Sequence, residues 1–379
     1  MYLLIGCGSD NTQGLTEVQL VTRGEYTWQL PAGFPVPTVQ SDNPMSEAKV
    51  ELGRHLFYDT HLSGNGTMSC SSCHLQELAF TDGRNVAIGS TGEHHPRNAP
   101  GLTNTAFNAS LNWANPATVT LEQQAPVPMF GEFPVELGLS GKEEEVLSRF
   151  KQSDLYQNLF KEAFSGDAEE INFGNIVKAL TSFERTLISG NSPFDRLTYR
   201  QDSSALSTSA KRGMDLFFSE KLECFHCHGG FNFTLSSTHE SSSFVEKPFH
   251  NNGLYNIGGT GAYPPGNQGL FEFTGNLEDR GKFRAPTLRN VEFTAPYMHD
   301  GSVATLEEVV RNYARGGRKI SSGPFAGDGK DNPYKSGFIS GFSISDEEVA
   351  DLVNFLKSLS DSSFLTDPRF ANPFESGAD

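Results

Sequence analysis

Two short stretches constrain this chain more than its length does: Cys70-Ser71-Ser72-Cys73-His74 and Cys224-Phe225-His226-Cys227-His228. Each sets two thiols three positions apart and puts an imidazole directly after the second. That is the attachment signature of a c-type haem, in which each sulfur bonds a vinyl group and the histidine coordinates iron from the proximal side. A bare Cys-x-x-Cys also serves zinc sites and redox thiols. Zinc would need four ligands at each site, and Cys7 is the only cysteine outside the two motifs. The reading is therefore two covalently held haems, with His74 and His228 as iron ligands.

With 379 residues the chain has room for two or three domains with cores of their own. It carries 29 basic against 46 acidic side chains, net −17, and four haem propionates would make it more acidic. That balance speaks against nucleic acid and for a cationic or neutral partner surface. Gly 38, Pro 20 and 36% hydrophobic residues describe a loop-rich globule, in which haem macrocycles would add apolar volume. Leu4-Ile5-Gly6-Cys7 resembles a bacterial lipoprotein cleavage box. The apolar run before it is short and has no charged start, so it reads as a trimmed signal with Cys7 as a candidate lipid anchor. Bacteria attach c-type haem outside the cytoplasm, and both clues point to the periplasm. No other stretch approaches the apolar length of a membrane span.

The fold class expected is mainly α: two cytochrome c-like haem domains with long irregular loops. Residues 1–45 read as a polar, Pro-rich N-terminal arm lying on the surface. Residues 46–195 form the first haem domain and 196–379 the second, with the Gly190-Asn191-Ser192-Pro193 break near the boundary. Ser46 is an N-cap for a helix to Tyr58, whose inward stripe includes His55, read as a hydrogen-bonded core histidine. Helical periodicity returns at 142–164 and 174–188. Ser207 to Ser219 leads into the second motif as Ser46 to Tyr58 leads into the first, an echo that suggests two related halves. Thr305 caps a helix ending at Gly316-Gly317, and Ser345 to Leu359 is the last helix.

With these residues assembled, the chain resembles the bacterial di-haem cytochrome c peroxidase and MauG superfamily over roughly residues 45–360. Both haem motifs, Arg97-Asn98-Ala99-Pro100, Pro134-Val135-Glu136-Leu137-Gly138 and Pro286-Thr287-Leu288-Arg289-Asn290 with Thr294-Ala295-Pro296-Tyr297 carry the likeness. It is most similar to the MbnH group, di-haem partners of the copper-binding protein MbnP, on segments such as Thr186-Leu187-Ile188-Ser189-Gly190 and Leu365-Thr366-Asp367-Pro368-Arg369-Phe370.

The resemblance implies that the first haem meets peroxide and the second stores or relays electrons. Classical peroxidases close the first site with a loop histidine; that position is Ser90 here, so an open iron is expected. His94 and His95 nearby read as loop-surface histidines. Glu136 takes the catalytic glutamate position, able to move a proton between peroxide oxygens. Gln124 and Pro128 match the distal-pocket pair, with Pro126 a rival to Pro128. At the second haem, Tyr313 stands where peroxidases place a methionine, and Met298 is the competing ligand. Trp113 matches the indole between the haems. Asn98, with the carbonyls of Thr294 and Pro296, matches a calcium site, whose hard oxygen donors suit that ion. MauG's surface tryptophan for hole exit falls at Leu222, so the expectation is either a route through a tyrosine or Trp28, or docking of the oxidised residue closer to a haem.

These residues together imply a periplasmic oxidase that reacts with hydrogen peroxide, reaches a high-valent two-haem state and oxidises a residue of a partner. The MbnH likeness implies tryptophan-to-kynurenine conversion in an MbnP-like copper-binding protein. The rivals are a peroxide-detoxifying cytochrome c peroxidase, which Ser90 and Tyr313 argue against, and a non-catalytic electron-transfer cytochrome.

Overall fold

The computed structural model describes residues 18–375; Cys7 and the cleavage-box reading lie outside them. The helices begin where the side chains can cap them. Ser46 accepts from Lys49 N–H and opens α1 (Glu47–Tyr58). α2 (Leu121–Gln124) and α3 (Pro126–Phe130) follow a long irregular stretch. The run expected at 142–164 is two helices, α4 (Glu143–Lys151) and α5 (Asp154–Ala163), because Ser153 turns its hydroxyl to Tyr156 N–H and restarts the helix. α6 (Phe173–Arg185), α7 (Pro193–Arg200) and α8 (Thr208–Phe217, capped by Ser207) come next. A short α9 (Phe271–Thr274) precedes α10 (Leu306–Arg315) and α11 (Asp346–Lys357), both opened by capping boxes, Thr305 with Glu308 and Ser345 with Glu348. α10 stops at Gly316, which takes φ +81°. His55 Nδ1 meets the Glu51 carbonyl at 2.9 Å, so it is a satisfied helix histidine.

Each motif helix crosses a partner helix on a glycine. A Cβ at Gly53 of α1 would lie 2.0 Å from the Ala179 carbonyl oxygen of α6, and one at Gly213 of α8 would lie 2.0 Å from that of Asp351 on α11. The first crossing anchors a core containing Leu52, Phe57, Phe150, Ile176 and Phe183. The second anchors one containing Phe217, Phe233, Val310, Leu352 and Phe355. Phe364 and Phe370, from the far end of the chain, pack back into the first core.

The sheet content is small: three two-stranded antiparallel ribbons among the described residues. β1 (Val18–Arg23) and β2 (Tyr26–Pro31) correct the surface-arm reading of the N-terminal segment. Tyr26, Trp28 and Leu30 alternate inward and are buried, while Gln29 faces out. Gly24, at φ +58°, opens the turn between the strands. The hairpin's core continues through Phe34, which meets Phe107 and Phe231 edge-on, so this segment ties the two halves together. β3 (Phe249–His250) pairs with β4 (Phe283–Arg284), and β5 (Lys319–Ile320) with β6 (Gly327–Asp328). No helix among the described residues is long and apolar enough to cross a membrane.

Candidate di-haem redox centre

The two Cys-x-x-Cys-His motifs adopt the same turn. His74 N–H reaches the Cys70 carbonyl and His228 N–H the Cys224 carbonyl, each at 3.0 Å. Each histidine is then fixed through Nδ1, His74 against the Phe80 carbonyl at 2.8 Å and His228 against that of Phe233 at 3.2 Å. A carbonyl can only accept, so Nδ1 carries the proton and Nε2 keeps its lone pair for a metal. Both Phe80 (φ +62°) and Phe233 (φ +50°) hold a left-handed backbone that bulky residues avoid, at the two places where it aims a carbonyl at the histidine. All four motif cysteines are free of disulfides.

Burial lowers the pKa of His74 and pushes that of His228 down to about 4, yet both rings keep accessible surface. A group can be deep in protein and still accessible only if it faces an internal space. At the second motif that space is a cavity of about 240 Å³, walled by Cys224, Cys227, His228, Tyr313, Met298 and Trp113. Arg284, buried in its wall, leaves Nε and Nη1 without partners, and burial lowers its pKa to about 10. His250 Nε2 and His299 Nε2, on the same wall, are unpartnered too. A buried guanidinium with open donors calls for an anion. An apolar cavity with paired thiols, a metal-ready imidazole and an orphaned arginine fits haem, whose propionates supply the missing charge.

Two further candidate iron ligands are at hand. Tyr313 and Met298 line the cavity, and Asn252 touches both, hydrogen bonding to Tyr313 and placing Nδ2 3.4 Å from the Met298 sulfur. Burial pushes the Tyr313 phenol up to about 12. Asn98, Thr294 and Pro296, the residues expected at a calcium site, all line this cavity. Trp113 stands beside it, its Nε1–H donated to the Asn98 carbonyl at 2.9 Å. Leu222 is buried in the second core and Trp28 in the hairpin, so neither presents a ring at the surface.

At the first motif the loop around Ser90 is pressed against the Glu136 segment. Ser90 N–H donates to the Glu136 carbonyl at 2.8 Å, and Leu137 N–H donates to the Pro128 carbonyl at 2.9 Å. A Cβ on Gly89 would sit 1.8 Å from the Val135 carbonyl oxygen, so only glycine permits this approach. Glu136 is half-buried, which raises its pKa to about 6. Burial chiefly raises the thiols of Cys70 and Cys73, with the Glu184 charge acting at Cys70, the Asp82 charge at Cys73, and a smaller push from Glu136 at both, which sets this carboxyl within electrostatic reach of the first motif. Gln124 ends α2 and Pro126 opens α3, with Pro128 its third residue. Of the two loop histidines, His94 is exposed, but His95 is half-buried with Nε2 3.9 Å from Glu136 Oε1. The surface reading of His95 is thereby corrected: the hydrogen bond from His95 N–H to the Ala87 carbonyl turns it inward.

Glu184 is a second residue that sequence reasoning passed over. It is buried on α6, burial raises its pKa to about 8, and its field reaches Cys70. The signal was present: a charged residue four positions after Leu180, inside the apolar stripe of that helix.

Fold and site together define an oxidoreductase with two haem cofactors. The sequence profile of the di-haem cytochrome c peroxidase family matches residues 47–204. The chain is 35% identical to cytochrome-c peroxidase IdrP1 of Pseudomonas sp. (strain SCT), over 86% of this chain and 84% of that protein. It is 34% identical to the methylamine utilization protein MauG of Methylorubrum extorquens, over 87% of this chain and 82% of that one. The protein belongs to this di-haem peroxidase and MauG family and is a haem-dependent enzyme. Among solved structures, a MauG-like protein associated with microbial copper homeostasis is 52% identical with a TM-score of 0.90, covering 92% of this chain and 99% of that one.

Proposed function

We propose that this enzyme spends hydrogen peroxide on a residue of a partner protein, a tryptophan of an MbnP-like copper-binding protein, in the periplasm. The observation that carries the reading is Tyr313 lining the cavity that His228 faces. A phenolate is a hard anionic ligand that favours oxidised iron, which suits an oxidase better than an acceptor of electrons from a donor cytochrome. The 52% identity to a MauG-like protein tied to copper homeostasis supports the class of partner.

Two haems would be held covalently by Cys70 and Cys73 and by Cys224 and Cys227, with His74 and His228 as iron ligands, and would supply the iron redox chemistry. The chain's own residues manage protons and geometry. Glu136 takes a proton from one peroxide oxygen and returns it to the departing one, so that water leaves. Gln124 and Pro128 would flank the peroxide site, and Ser90, whose hydroxyl is a poor iron donor, would not close it. Trp113 lies beside the calcium wall of Asn98, Thr294 and Pro296 as the link between the centres.

The overall change balances as follows. Two molecules of hydrogen peroxide each supply one oxygen atom's worth of oxidation to one indole, whose C2–C3 bond breaks to yield N-formylkynurenine with two added oxygens, and two waters leave. Hydrolysis then releases formate and leaves kynurenine. Mass spectrometry of a copper-binding partner treated with the enzyme and peroxide should find a tryptophan carrying two oxygens or its deformylated product. An unaltered partner, together with rapid peroxide turnover on a reduced cytochrome, would replace this reading with the peroxidase one. Met298 in the same cavity is the observation that favours that second reading.

A further inference from the structure

Beside the Glu136 carboxylate stands a histidine that no assigned role uses. His95 Nδ1 accepts a hydrogen bond from Arg97 N–H at 3.1 Å, and its Nε2 lies 3.9 Å from Glu136 Oε1. An amide N–H can only donate, so Nδ1 must present its lone pair. In the neutral ring the proton therefore sits on Nε2, on the side of the Glu136 carboxylate. The tautomer is set by backbone, and the backbone is itself held. His95 N–H is bonded to Ala87, Gly89 N–H to Glu93, and Val135 N–H to the Glu93 carboxylate. Burial chiefly, and then the Arg97 charge, lower the His95 pKa, which keeps the ring neutral.

We propose that His95 is the positioning residue of the distal acid–base group: a fixed hydrogen-bond donor that holds Glu136 in its ionised, proton-accepting form. At 3.9 Å the contact closes through one water or a small turn of either side chain. The need for such a donor follows from the burial of Glu136, which by itself favours the protonated acid and so the form unable to take a proton from peroxide. The groups facing this pair are few. Arg97 and the exposed His94 lie on the His95 loop, and Glu93 is bonded to Val135 N–H on the Glu136 side. Cys70 and Cys73, across the pocket, become uncharged thioethers once haem is attached. Among the described residues, His95 Nε2 is the nitrogen placed within 4 Å of the Glu136 carboxylate. The inference rests on Glu136 being the distal base of the proposed function.

Cyanide binding to the ferric haem reads this base without peroxide turnover, because hydrogen cyanide must lose its proton in the pocket to bind. The binding rate should rise with pH as Glu136 ionises. In His95→Leu the midpoint should move upward, making binding about tenfold slower on the acid side, for a shift of about one pH unit, and unchanged on the alkaline side. His95→Gln places an amide N–H near Nε2 and should restore most of the midpoint. An unmoved midpoint in His95→Leu, or slowing of equal size at every pH in both variants, overturns the proposal. Glu136→Gln separates the two claims: it should erase the pH step. If the step survives that change, Glu136 is not the base and both claims fail. If it is erased while His95→Leu leaves it in place, only the His95 role fails.

Discussion

Trp113 donates its indole N–H to the backbone carbonyl of Asn98 at 2.9 Å, and its own carbonyl accepts from Arg284 N–H at 2.8 Å. The ring thought to link the two centres is thus hung on the proposed calcium wall at one end and on the orphaned arginine at the other. Calcium bound by Asn98, Thr294 and Pro296 would stiffen that attachment. Verified removal of calcium should broaden the electron paramagnetic resonance signal of the second haem and slow its response to peroxide, with recovery on adding calcium back. Unaltered signals in metal-free protein would separate the ion from the relay.

On the proposed mechanism, Glu136 sets the acid side of the peroxide reaction. Its pKa is raised to about 6 by burial. The base form therefore grows as pH climbs through that value and is lost as pH falls below it. Stopped-flow rate constants for peroxide should rise across this window and level off above neutrality. Glu136→Gln should lower the plateau by about 10²- to 10⁴-fold while leaving the resting spectrum in place. Wild-type kinetics in the variant would remove Glu136 from the reaction.

Tyr313 and Met298 line the same cavity as rival candidate ligands for the second haem, and substitution tells them apart. Tyr313→Phe should erase a histidine–tyrosinate low-spin signature from the ferric spectrum. Tyr313→Met should raise the reduction potential, since a thioether favours the reduced iron. If Met298 is the ligand, both variants keep the parent spectrum, and Met298→Leu loses it.

Helix starts and haem anchors were readable because they depend on neighbours in sequence. Ser46, Ser207, Thr305 and Ser345 cap as their spacing implies, and each Cys-x-x-Cys-His forms its turn from five adjacent residues. The N-terminal hairpin was also legible in principle, through the alternation of Tyr26, Trp28 and Leu30, but the prolines after it masked the pattern. What local sequence does not encode is which distant groups meet. His95 and Glu136 are separated by α2 and α3, and their approach depends on Gly89 lying flat on Val135. Arg284 is unremarkable as a residue and becomes informative only when its guanidinium is found buried without partners.

The glycine crossings give the sharpest mechanical prediction. A Cβ at Gly53 would stand 2.0 Å from the Ala179 carbonyl oxygen, and one at Gly213 equally close to that of Asp351. Both obstacles are backbone, so no side chain can swing aside and the helix pairs must separate. Gly53→Ala and Gly213→Ala should each cost about 1–3 kcal/mol, as overpacking does. The cost should be local. Gly53→Ala loosens the core beside the first haem motif and should shift the denaturant midpoint of that haem's absorbance first. Gly213→Ala should do the same at the second. Gly337, which has nothing within 4 Å of its added Cβ, is the control, and Gly337→Ala should leave both midpoints in place. Equal midpoints for all three variants would mean that neither crossing is as tight as the geometry requires.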